Sequence, residues 1–236
     1  MAFKLAPDLT GMQPFPVAAD FIIPAPIENL GAIFKGSALA TLDGAGGVVS
    51  WQDRIGNAAT QAVSACRPLI AAGRIAPDGV NDFLRTALLP TVAGYICAKV
   101  LMKTVASGAI IFGSQTSPTQ RLGFGISSSN QRLGATIGSK TVGTFNGGTG
   151  LVNNTEYVLG MSWSAGTVSL RVDGAEVLNG VYNAAGEGVG NLPMWIGALN
   201  FGGTANSPSP LHIKHLWKYT ALPADIPAVD AALAAV

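Results

Sequence analysis

From residue 29 onward, short apolar or alternating runs are separated by Gly, Asn, Asp and Ser, a pattern that predicts strands joined by tight turns. The runs fall at 30–34, 48–51, 91–103, 109–114, 121–127, 132–137, 141–145 and 157–163. Ser164-Ala165-Gly166 then turns the chain into 167–172, and Asp173-Gly174 turns it again into 176–178, both in the manner of hairpins. Leu170 and Val172 alternate with Ser169 and Arg171, which puts the apolar side chains of that run on one face. Two further strands are predicted at 194–197 and 211–219, with a loop rich in Gly, Ser and Pro at 201–210. Along the last strand, Leu211, Ile213, His215, Trp217 and Tyr219 are expected on one face, and His212, Lys214, Leu216 and Lys218 on the other. The alanine-rich end, 228–235, is long enough for about two turns of helix.

Residues 1–27 break this pattern. Pro7, Pro14, Pro16, Pro24 and Pro26 favour an extended path with few internal hydrogen bonds. Phe15, Phe21, Ile22 and Ile23 are nonetheless too apolar for a solvated tail. Two readings stand side by side: an anchoring arm lying on its own domain or on a neighbouring subunit, and a first strand and loop of the same domain. The first divides the chain into an arm, 1–27, and a single domain, 28–236.

Composition supports a β-rich domain with ample core. Of the 236 residues, 48% are hydrophobic and 11% charged, and 30 glycines with 14 prolines favour turns over long helices. A net charge of +1 without any basic run offers no footprint for nucleic acid or an anionic membrane, and no apolar stretch approaches the length of a membrane span. Pro7, Asp8 and Pro14 interrupt the N-terminus where a signal core would lie, so synthesis in a cytoplasm is expected. Cys66 and Cys97 allow one bridge or two free thiols, without the paired spacing of a zinc site.

One stretch, 47–84, carries a more specific signal. Trp51, Asp53, Gly56 and Asn57 form a W-x-D-x-x-G-N turn; Ala65, Arg67 and Pro68 follow; then Asp78-Gly79 leads through Asn81 and Asp82 into the next strand. This order resembles the opening of the laminin-G-like, concanavalin-A-like lectin/glucanase superfamily. The Val172-Asp173-Gly174 turn and the closing strand with Tyr219 before a short helix also resemble that family, so that the likeness covers roughly 30–236. The resemblance implies an all-β fold: a two-sheet antiparallel β-sandwich of jelly-roll type with a short C-terminal helix. It also places the turns of Asp53 and Asp78 near each other and implies calcium as the ligand they would share.

The candidate chemistry can be weighed residue by residue. Retaining glycosidases need two carboxylates about 5 Å apart, and the family's glucanases supply them in an E-x-D-x-x-E strand. Here Glu28, Glu156, Glu176 and Glu187 stand in no such pattern, and the nearest acidic pair, Asp78 with Asp82, falls in a turn. His212 and His215, three apart on one strand, are expected on opposite sides, and no G-x-S-x-G elbow is present. Asp53, Asn57 and Asp78, with Asn81 and Asp82, offer oxygen ligands suited to calcium, while the competing reading has them closing their own turns. Trp195, opposite in phase to Met194 and Ile196, is the candidate sugar platform, with Asn81 and Asp82 as hydroxyl readers; core packing is the alternative for it. Trp51, Trp163 and Trp217 read as core or sheet-edge residues.

Beyond that ion, no cofactor is expected. The functional expectation is a non-enzymatic bacteriophage virion module decorating a tail, fibre or capsid, homo-oligomeric, whose arm fastens to other virion proteins and whose sandwich meets host surface glycans. A cement protein without glycan contact, and a glycoside hydrolase or lyase with atypical residues, are the alternatives. The virion reading rests on an analogy of architecture.

Overall fold

A computed structural model describes residues 28–103, 108–127, 131–139, 144–147 (backbone), 150–185 and 188–236. Residues 1–27, with Phe15, Phe21, Ile22 and Ile23, lie outside the described residues. In chain order the strands are β1 (Leu30–Lys35), β2 (Ala40–Leu42), β3 (Val48–Gln52), β4 (Ala58–Thr60), β5 (Leu69–Ala71), β6 (Arg74–Ala76) and β7 (Leu84–Thr86). There follow β8 (Gly94–Met102), β9 (Ile110–Ser117), β10 (Gln120–Ile126), β11 (Leu133–Ile137), β12 (Thr144–Gly147), β13 (Thr155–Ser164), β14 (Thr167–Val172) and β15 (Ala175–Val181). The series closes with β16 (Trp195–Ile196), β17 (Leu199–Phe201), β18 (Thr204–Asn206), β19 (His212–Tyr219) and an α-helix, α1 (Ile226–Ala234); a short 3-10 turn, Ser64–Cys66, lies between β4 and β5.

These strands make a two-sheet, mainly antiparallel sandwich, as expected. One sheet has eight strands in the order β15-β14-β13-β8-β19-β6-β5, with β1 also paired to β19; the other has eleven, β12-β11-β10-β9-β16-β7-β4-β3-β2, with the β17–β18 hairpin joined to β9. The stretch that opens the family resemblance is where the chain crosses between layers, from β3 and β4 in one sheet to β5 and β6 in the other and back to β7. Two-residue turns with both residues at positive φ close four hairpins, at Ala72-Gly73, Ala165-Gly166, Asp173-Gly174 and Gly202-Gly203. This geometry matches the right-handed twist of the paired strands.

The main core lies between the layers. Phe34, Trp51, Phe112, Phe124, Met161 and Trp163 are among its side chains, all essentially without solvent contact. A second core lies on the outer side of the eight-stranded sheet, where α1 covers Ile33, Tyr95, Cys97, Trp217 and Tyr219 with Val229 and Leu233. Asp225 caps the helix by accepting the Ala228 N–H at 2.9 Å, with proline in the first turn. Asp230, buried on the helix's inner side, accepts from the Tyr95 hydroxyl and from Arg171 Nε, the latter at 2.8 Å. Cys66 and Cys97 are both free thiols.

The facing of β19 differs from strict alternation. A bulge between Ile213 and His215, against β8, shifts the phase by one residue. Leu211, Ile213 and Leu216 therefore enter the core between the sheets, whereas Trp217 and Tyr219 pack beneath α1. His215 alternates with Leu216 and so joins the outer side, which His212 also takes; the two histidines share a side instead of facing apart. A second difference is the predicted loop at 201–210, which contains β18 and the turn of a hairpin.

Candidate functional site

The acidic turns come first, because they carried the metal and sugar expectations. Asp53 follows β3, and its carboxylate closes the β3–β4 turn: Oδ1 accepts the N–H groups of Ile55 at 3.0 Å and Asn57 at 2.6 Å. Its Oδ2 accepts from Ile33 N at 3.3 Å and from the Asn57 amide at 2.6 Å. The same amide donates to Gly31 O at 3.0 Å. Since a carboxylate offers about four acceptor positions, donors of the chain itself fill those of Asp53. The pair ties β1 to the turn.

Between β6 and β7, Asp78 Oδ1 accepts from the N–H groups of Val80 at 2.8 Å and Asn81 at 3.2 Å, and Asp82 Oδ2 accepts the Asp78 N–H at 3.1 Å. Burial, then the charge of Asp78, push the Asp82 carboxyl up to about 6. Asn81 is exposed. The structure thus brings Asp53 to Asn57, and Asp78 to Asn81 and Asp82, as two separate turns. Among the described residues, no three His, Cys, Asp or Glu side chains gather closely enough to hold a metal ion.

Trp195 does take the face opposite Met194 and Ile196, on the outside of the eleven-stranded sheet. There its indole stacks on Phe83, with centroids 4.8 Å apart and planes 10° from parallel. Its cross-strand neighbour Arg85 lays a guanidinium 4.8 Å from the ring centroid, and Trp195 is left 5% exposed. The stack is a closed, cation-capped cluster. Trp51, Trp163 and Trp217 are all buried.

A different ring is presented to solvent. Phe201, at the tip of the β17–β18 hairpin, is 45% exposed and pairs in register with Thr204 on one side and Gln115 on the other. Asn200 stiffens the hairpin from below, donating to Pro193 O at 2.7 Å and accepting the Gly203 N–H at 2.9 Å. A ring flanked by an amide and a hydroxyl on a stiff hairpin suits a sugar, whose C–H face can stack while its hydroxyls find polar partners. Phe201 had been hidden in a predicted loop. Gly202-Gly203 between the strand-favouring Phe201 and Thr204 was the signal that could have revealed it.

The described carboxylates with hydrogen-bonding or ionic partners all serve the fold. Asp43 pairs with Arg67 at 2.7 Å, Glu156 with Arg74 and Lys99, Asp173 with the Val158 N–H, Glu176 with Ser169, and Asp225 and Asp230 with the helix contacts above.

No family model matches the sequence, and no curated protein matches it significantly. Among solved structures, Trypanosoma rangeli sialidase superposes with a TM-score of 0.61 at 14% identity, over 90% of this chain and 35% of that one. The same sialidase in complex with sialic acid gives 0.60 at 13% identity, over 88% and 33%. The CBM40 of Ruminococcus gnavus IT-sialidase, bound to α2,3 sialyllactose, gives 0.49 at 13% identity, over 61% and 83%. The chain spans about a third of the length of the trypanosomal sialidase that it matches. At these identities the likeness is one of fold: a two-sheet β-sandwich like those of sialidase domains.

Proposed function

We propose that the protein is a non-enzymatic adhesion module of a bacteriophage virion, a tail, fibre or capsid decoration protein whose sandwich binds host surface glycans through the Phe201 hairpin. Residues 1–27 fasten it to other virion proteins, and it works as a homo-oligomer on the particle. The observation that carries the binding reading is the 45% exposed Phe201 ring, held on a hairpin that Asn200 makes stiff. The engagement of Asp43, Asp53, Asp82, Glu156, Asp173 and Asp230 in turns and ion pairs supports a role without catalysis, because a catalytic acid must reach a substrate. The proline-rich, apolar composition of 1–27 supports the anchoring role.

A cement role without glycan contact is the second reading. Val80, Val92 and Val181, exposed by 74%, 84% and 73%, favour it as apolar contact points for neighbouring subunits. A glycan array separates the two. The adhesion reading predicts saturable binding by the wild type and about tenfold or greater loss for Phe201→Ala. Absence of binding leaves the cement role, and binding indifferent to Phe201→Ala removes the hairpin from the account. Deletion of 1–27 is expected to leave a folded sandwich that no longer joins particles; continued incorporation would refute the anchor.

A further inference from the structure

Lys218 is a buried charge that the fold leaves uncompensated. On β19 it alternates with Trp217 and Tyr219, which pack under α1, so its side chain enters the space between the sheets. Its cross-strand neighbours there are Ala32 of β1 and Ile96 of β8, both core residues. It is 2% exposed, and among the described residues no hydrogen bond or ion pair reaches its ammonium. Lys99 and Lys214, by contrast, donate to the main-chain oxygens of Ala234 and Val236. Burial alone lowers the Lys218 pKa from 10.5 to about 8. The charged groups of the neighbouring elements, Lys35 on β1, Lys99 on β8 and Asp53 and Arg54 in the β3–β4 turn, add nothing to that shift.

Room for the ammonium comes from β1. That strand bulges between Leu30 and Ala32, and Gly31, the residue between them, has no side chain. A Cβ there would meet Thr220 Cγ2 at 2.8 Å and Lys218 Nζ at 3.9 Å. β1 pairs with β19 alone, and its other edge is held by the β3–β4 turn. Asp53 accepts the Ile33 N–H, the Arg54 N–H donates to Ile33 O at 3.1 Å, and the Asn57 amide donates to Gly31 O. These bonds and the burial of Ile33 and Phe34 seat the strand. An ammonium taken out of water without an acceptor works against the seating.

We infer that β1 is a releasable strap: the charged Lys218 side chain, buried at its root, makes it separate from β19 ahead of the rest of the sandwich. Between pH 8 and 10.5 the released state binds a proton that the seated state refuses, so seating strengthens as pH rises through that window. Below pH 8 the opposition is fully present. β1 follows directly on residues 1–27, so its release lengthens the connection between that segment and the sandwich by six residues, about 20 Å when extended. This gain in reach rests on the anchoring role of 1–27; the release itself does not.

Native-state hydrogen exchange of the full chain at pH 7 tests the strap, read at the amides of β1 and of β13, a central strand paired on both sides. Wild-type β1 amides are expected to exchange through a local opening, with protection at least about tenfold below that of β13. Lys218→Met, which keeps the length of the side chain and removes its charge, should raise β1 protection about tenfold or more. Lys218→Arg, which keeps the charge, should not. One shared protection for β1 and β13 in the wild type overturns the strap. So does β1 protection that Lys218→Met leaves unchanged, or that Lys218→Arg raises equally.

Discussion

Asp82 and His215 are buried titratable groups whose displacements have opposite consequences for stability. Asp82 titrates at about 6 in the fold against an ordinary 3.8, so between about 4 and 6 the folded chain keeps a proton that the unfolded chain releases. Its contribution to stability therefore falls as pH rises through that window. His215 titrates at about 4 against 6.5, so the unfolded chain takes up a proton that the folded one refuses, and its contribution rises with pH from 4 to 6.5. The two nearly cancel between pH 4 and 6. Glu156 and His212, both held below their ordinary values, add a rise with pH of their own, so denaturant melts at pH 4, 5 and 6 are expected to show stability rising with pH in the wild type and are read as differences from it. Against that profile, Asp82→Asn should steepen the rise with pH, and His215→Gln should reduce or reverse it, by at most about 1.4 kcal/mol per pH unit each. Identical profiles in both variants would contradict these assignments. At this scale the residue types were legible and their partners were not. Asp53, Asn57 and Asp78 are turn residues by composition, but which N–H groups fill their oxygens depends on β1 arriving beside the β3–β4 turn, a contact across more than one strand.

Elements divide by length. β8 and β13 were plain in the sequence because long apolar runs leave no competing period. Three-residue strands such as β4 and β18 are shorter than any period can register, and pairing to neighbours makes them strands. The bulge in β19 is invisible to alternation for the same reason: it is set by the register with β8, and it moves Leu216 inward and His215 outward. Helix α1 was legible as an alanine-rich end, while its task of sealing a second core was not. That task gives an expectation for the thiols. Cys97 lies fully buried beneath α1, its thiol pKa pushed well up by burial, whereas Cys66 is half-buried at the end of a single 3-10 turn. Under native conditions a thiol reagent should label Cys66 readily and Cys97 only when α1 undocks. Asp225→Ala removes the helix cap, which costs about 1 kcal/mol, and should speed Cys97 labelling roughly fivefold with Cys66 unchanged. Equal acceleration at both thiols would mean that Cys97 reports global unfolding instead.

Across the whole molecule, the sandwich separates its surfaces by use. One sheet has part of its outer face buried under α1. The other caps Trp195 with Arg85 and presents Phe201 beside it in sequence on a separate hairpin. The two-layer architecture was readable from the turn chemistry and from the ordered motifs around Trp51 and Asp82; the exposed ring was not, since exposure depends on which strands lie beside β17. The central claim is that this scaffold holds a glycan without transforming it. Saturation-transfer NMR on a retained saccharide, with reducing ends assayed in the same sample, tests it most directly. The account predicts magnetisation passing from the Phe201 ring protons to the sugar, lost in Phe201→Ala, with no new reducing ends over time. Contact that avoids Phe201, or release of reducing ends, would contradict it.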